Sequence, residues 1–143
     1  MCMGQESIVP AEAFERVPQE LKEYDQWVNW RFEDDRKVPV NPMTLGNAGV
    51  SWPNSWAPFG LAVEQVRPGE MGLGFVLTEA DPYVCVDLDK CINEGGELSL
   101  AARAVLDVLK GYVELSPSNQ GLHVWVKSEV AIGNWRTKGI EGL

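Results

Sequence analysis

Histidine and cysteine are scarce in this chain. Its single histidine, His123, and its three cysteines, Cys2, Cys85 and Cys91, show no CxxC spacing and give neither the ligand pattern of a structural zinc site nor a disulfide framework. No apolar run approaches the ~18 residues that a membrane-crossing helix needs. The opening Met1-Cys2-Met3-Gly4-Gln5-Glu6 lacks the basic and apolar regions of a secretory signal. These absences set the expectation of a soluble, cytoplasmic chain with no membrane partner. Positive charge is also short: 12 Lys and Arg stand against 21 Asp and Glu, a formal net charge of −9. General electrostatic holding of nucleic acid needs a basic surface that displaces condensed counterions, so this balance excludes it. Any nucleic-acid contact has to be local. Two basic clusters, Arg31 with Arg36 and Lys37, and Arg136 with Lys138, are either solvated faces or such local contacts.

What is present suits one domain. A length of 143 residues, 45% of them hydrophobic, can bury most of the apolar surface exposed on unfolding. The reading is a single domain over 1–143, with 1–10 flexible. Residues 11–24 are helix-compatible but broken by Pro18 into two short pieces. Trp27 to Phe32 and Lys37 to Val40 read as a hairpin around a polar Glu33-Asp34-Asp35-Arg36 turn, with Pro39 confining the second strand to an edge. A loop over 41–53 precedes a helix from Trp56 to about Val66, capped by Asn54 or Ser55. Strands are expected at 72–77 and 83–88. Apolar residues recur at helical spacing from Leu98 to Lys110, with Gly111 placed for a C-terminal cap. Strands at 112–115 and 122–126 then flank a Ser116-Pro117-Ser118-Asn119-Gln120-Gly121 turn. The fold class is mixed α/β (α+β), helices packed on a central sheet.

Side chains alternate faces along a strand. In Tyr83-Val84-Cys85-Val86-Asp87-Leu88-Asp89 the apolar Val84, Val86 and Leu88 therefore face one way, while Asp87 and Asp89 face the other. Two carboxylates projecting together repel unless a cation sits between them, and hard divalent ions such as Mg²⁺ or Mn²⁺ take such oxygen ligands. The rival reading is a solvated strand end. His123 follows a turn whose hydroxyls and amides can cradle phosphate oxygens while an imidazole adds a hydrogen bond. A plain hairpin turn is the rival there. Of the tryptophans, Trp52 in its loop and Trp135 near the end are the candidates for stacking a base, the others being core or loop anchors.

Five segments in order carry a resemblance: Trp27-Val28-x-Trp30-Arg31, Lys37-x-Pro39-x-Asn41-Pro42, Gly72-x-Gly74-Phe75-Val76-Leu77-Thr78, Asp81-Pro82-x4-Asp87-Leu88-Asp89 and Ser116-Pro117-Ser118-x2-Gly121-x-His123. Over residues 18 to 141 the sequence resembles the N-terminal domain of phage and plasmid primase-polymerases of the archaeo-eukaryotic primase superfamily. That resemblance implies an RRM-like catalytic core. It makes Asp87 and Asp89 metal ligands with Glu141 as the third, and Mg²⁺ or Mn²⁺ the cofactor. It makes Ser116, Ser118 and His123 triphosphate contacts, with Lys37 at a phosphate and Asp87, Asp89 and His123 as the catalytic set. Arg31, Arg36, Trp52, Arg136 and Lys138 are the nucleic-acid candidates. Position 119 departs from the family, with Asn where Gly is usual. The family's strands after position 141 are missing from Ile140-Glu141-Gly142-Leu143.

The expected function is template-directed nucleotidyl transfer, DNA primase and polymerase activity, by a phage- or plasmid-encoded protein. Its partners would be nucleoside triphosphates, a single-stranded DNA template with primer, and a helicase domain or protein. The alternatives are an inactive, truncated nucleotide- or partner-binding module on the same fold and, third, a metal-dependent phosphodiesterase.

Overall fold

The computed structural model describes residues 11–128. Within them the chain forms two compact units that divide after Leu77.

The first unit opens with two short helices, α1 (Ala11–Glu15) and α2 (Gln19–Lys22), separated at Pro18 as the sequence requires. Its sheet has the order β2-β1-β3, from β1 (Trp27–Glu33), β2 (Arg36–Val40) and β3 (Gly72–Phe75), all antiparallel. The β1–β2 hairpin turns on Asp34 and Asp35, whose φ of 49° and 60° give the twist a two-residue hairpin needs. Pro39 lies on β2, an edge strand, where its missing N–H costs no ladder bond. β1 is central and buried on both faces from Trp27 to Trp30. Trp30 fills the space over Gly72, where a Cβ would come within 2.2 Å of the indole. Its Nε1 donates to the Leu73 carbonyl at 3.0 Å.

The expected helix over 56–66 is shorter, α3 (Phe59–Glu64), and begins after Pro58 with no side-chain cap. Ala57 accounts for the difference. Its N–H and C=O exchange bonds with Trp27 at 2.8 and 3.0 Å, which holds residues 56–57 extended. Ser55, expected as a cap, is buried in a 3-10 turn, where its hydroxyl donates to the Trp52 carbonyl and accepts from the Gly49 N–H.

The second unit holds β4 (Tyr83–Leu88), α4 (Leu100–Val108), β5 (Tyr112–Leu115) and β6 (Leu122–Lys127), its sheet ordered β4-β6-β5 and again antiparallel. α4 starts at Ser99, whose hydroxyl accepts the Ala102 N–H at 3.1 Å. One face of the sheet packs with this helix, around buried Leu88, Cys91, Ala102, Leu122 and Val124. Gly111 does not cap α4, which ends at Leu109 in extended backbone. Glycine is needed there for another reason: a Cβ would sit 2.0 Å from the Trp125 carbonyl oxygen on β6.

The fold class is α+β, as read from the sequence. In place of one central sheet, the described residues form two three-stranded ones. No described helix is long and apolar enough to cross a membrane.

Candidate functional site

Residues directly opposed in an antiparallel sheet share a face. With Val86, Leu88, Leu122 and Val124 committed to the α4 side, the other face carries Cys85, Asp87, Tyr112, Glu114, His123 and Trp125. One rung runs straight across all three strands, Asp87 to His123 to Glu114. His123 is buried between two carboxylates of different character. Its Nδ1 lies 3.2 Å from Oε1 of Glu114, whose side chain is 7% exposed, and its Nε2 lies 3.6 Å from Oδ1 of Asp87, which is 56% exposed. The Trp125 indole donates to the same Glu114 oxygen at 3.2 Å.

β4 is held at its start by Asp81. This buried carboxylate accepts from the Thr78 N–H and hydroxyl at 2.8 and 3.0 Å and from the Tyr83 N–H at 3.0 Å. The Asp-Pro segment thus fixes where the strand enters. At the other end the strand closes at Leu88, and exposed Asp89 and Lys90 follow, Lys90 with a φ of 50°. Burial chiefly raises the Cys91 thiol pKa, and the charges of Asp89 and Asp87 push it further in the same direction. Cys91 is buried and free.

The serine turn packs against the same strand end. A Cβ on Gly121 would lie 2.6 Å from the Leu88 carbonyl oxygen and 3.5 Å from the Asp89 Cα, and the Ile92 N–H donates to the Gln120 carbonyl at 3.0 Å. Ser116 is buried. Its hydroxyl accepts from the Gly121 N–H at 3.1 Å and shares a hydrogen bond with the Ser118 hydroxyl at 2.9 Å. Ser118 is exposed and also accepts from the Gln120 N–H. Asn119 has a φ of 60°, a left-handed conformation that asparagine and glycine both tolerate. The departure from glycine at this position therefore leaves the turn intact.

Asp87, Asp89, His123, Ser116 and Ser118 are thus gathered at one end of one sheet. Lys37 and the other candidates with described positions belong to the first unit. The Lys37 ammonium sits 5.1 Å above the Trp30 ring. Arg31 pairs with Glu33, Arg36 is exposed, and Trp52 is 53% exposed in its loop. Asn41 is a turn residue, its Oδ1 accepting the Met43 N–H at 2.8 Å. Glu141, Arg136, Lys138 and Trp135 lie outside the described residues.

Glu114 is the site residue that the sequence reading missed. Alternation in Tyr112-Val113-Glu114-Leu115 puts Glu114 on one face, but only the β5–β6 register shows that it faces His123. As to metal, the donor set at the β4 end is two exposed carboxylates, the hard oxygen chemistry that Mg²⁺ or Mn²⁺ takes. Among the described residues, no cluster of three His, Cys, Asp or Glu side chains is placed to complete it.

No protein-family model matches the chain. Over 112 residues, 77% of its length, it is 42% identical to a DNA primase-polymerase from Nitratiruptor phage NrS-1. The chain is a relative of the phage-type primase-polymerases. The match spans 16% of that phage protein, so this primase-polymerase relative corresponds to a small part of it.

Proposed function

We propose that this primase-polymerase relative binds a nucleoside triphosphate and a divalent metal for template-directed nucleotidyl transfer, on a single-stranded DNA template with a primer. One observation carries the reading: the Asp87–His123 pair opens onto a strand end that the Ser116–Gly121 turn closes. Carboxylates, an imidazole and a hydroxyl-bearing turn are the groups that a metal-bound triphosphate needs, and the phage relative is named for this activity.

In this reading Asp87 and Asp89 would hold Mg²⁺ or Mn²⁺, which when bound supplies charge neutralisation at the phosphates and the attacking hydroxyl. Ser118, the exposed hydroxyl of the turn, meets the triphosphate. Ser116, whose hydroxyl is taken up within the turn, shapes it. The His123 Nε2 edge faces the carboxylate side of the site, where a proton on it would donate to a phosphate oxygen. Net charge and the exposed carboxylates leave the template to local contacts, with Trp52 offering a stacking face worth ~1–3 kcal/mol per base.

The test is primer extension with labelled dNTPs and Mg²⁺ or Mn²⁺, alongside Asp87→Asn/Asp89→Asn. Extension that the double variant loses supports nucleotidyl transfer. Triphosphate binding without extension indicates a binding module on the same fold. Degradation of the primer indicates a phosphodiesterase.

A further inference from the structure

The geometry points to Glu114 as the positioning residue for His123: it accepts a hydrogen bond from Nδ1–H and so leaves Nε2 as the edge presented to the nucleotide, bare in the free protein and a donor to a phosphate oxygen once it takes up a proton. This deepens the proposed function and rests on it for the identity of the ligand alone.

A buried carboxylate is costly unless hydrogen bonds compensate it. Glu114, at 7% side-chain exposure, has two such bonds, both to Oε1, from the Trp125 indole and from His123. Tryptophan Nε1 is a donor only, and an ionised carboxylate is an acceptor only. With the carboxylate ionised, Oε1 accepts from the indole, and the nitrogen facing it at 3.2 Å is then the donor, Nδ1–H. The competing carboxylate is weaker on both counts. Asp87 is 56% exposed, and its 3.6 Å separation from Nε2 is beyond a hydrogen bond. A carboxylate behind an imidazole sets which nitrogen carries the proton and how the ring is aimed, the device that orients metal-bound and catalytic histidines. Here it selects the tautomer opposite to the Nε2–H form that free imidazole side chains favour.

His123 is the chain's one histidine, so ¹⁵N imidazole signals report on it without assignment. Two-bond ¹H–¹⁵N spectra would be recorded at a pH where the ring is neutral, on the wild type, Glu114→Gln and Glu114→Ala, with melting curves confirming that each variant is folded. The expected wild-type spectrum has a protonated Nδ1 and a bare Nε2, with Glu114→Ala reverting to Nε2–H. Glu114→Gln, which keeps an acceptor oxygen, should retain the Nδ1–H form in part. A wild-type Nε2–H ring, or identical tautomers in wild type and Glu114→Ala, overturns the proposal.

Adding Mg²⁺ and dATP separates the two claims. The Nε2 signal should shift on addition, and Glu114→Ala should bind the nucleotide roughly tenfold more weakly, the usual scale for losing such a support. Should the tautomer be as expected but insensitive to Mg²⁺ and dATP, Glu114 still positions His123, and the nucleotide reading is what fails.

Discussion

Gly121 lies so close to Leu88 that a Cβ on it would stand 2.6 Å from the Leu88 carbonyl oxygen. This contact joins the serine turn to the strand that carries Asp87. The obstacle is backbone, not a side-chain tip that can swing away, so Gly121→Ala has to move the turn, the strand end or both. Overpacking of this kind costs ~1–3 kcal/mol. Urea denaturation should show a loss in that range, and nucleotide binding should weaken beyond it because Ser118 shifts relative to Asp87. Wild-type stability in the variant would contradict the packing described here.

Asn119 makes the complementary point about backbone conformation. At a φ of 60°, glycine is unstrained and a β-branched residue is not. Asn119→Gly should therefore fold with stability within about 0.5 kcal/mol of the wild type, whereas Asn119→Val should lose ~1–2 kcal/mol. Equal midpoints for the two variants in chemical denaturation would contradict the left-handed turn.

Cys91 gives the fold a pH dependence whose sign is fixed. Burial, reinforced by Asp89 and Asp87, holds its pKa above the ordinary value. An unfolded cysteine ionises near about 8.5, so above that pH the unfolded state binds fewer protons than the folded one. The contribution of this thiol is complete below that pH and is lost as pH rises towards the folded-state pKa. Stability followed by denaturation from pH 7 to 10 should fall on the alkaline side, and Cys91→Ala should flatten that fall. Iodoacetamide should label Cys91 only after unfolding. Rapid labelling of Cys91 itself in the native chain, located by peptide mapping, would contradict its burial.

Much of this was legible in the sequence because local chemistry decided it. Pro18 broke the first helix, the alternation from Tyr83 to Leu88 separated Asp87 from the apolar face, and the Ser-Pro-Ser turn marked a hairpin. What escaped was set by residues distant in sequence. Helix α3 starts late because Ala57 pairs with Trp27, thirty residues before it. Gly111 is small because of the Trp125 carbonyl, and not because of α4. Ser55 reads as a cap but is occupied by Trp52 and Gly49. Glu114 reads as one more surface carboxylate until the register of β5 on β6 sets it against His123. The metal reading of Asp87 and Asp89 and the phosphate reading of the serine turn and His123 began from strand alternation and turn chemistry, beside the rival readings of a solvated strand end and a plain hairpin turn. The resemblance favoured them, and the fold brings Asp87, Asp89 and His123 to one strand end.

The measurement that bears most directly on that strand end is calorimetric titration of dATP with Mg²⁺ or Mn²⁺ into the wild type and into Asp87→Asn/Asp89→Asn. Both side chains are exposed, so the double variant should melt within a few degrees of the wild type. The wild type should bind the nucleotide only with metal present, and the variant should show no metal-dependent binding. Undiminished binding in a folded double variant would contradict the assignment of Asp87 and Asp89 as the metal ligands.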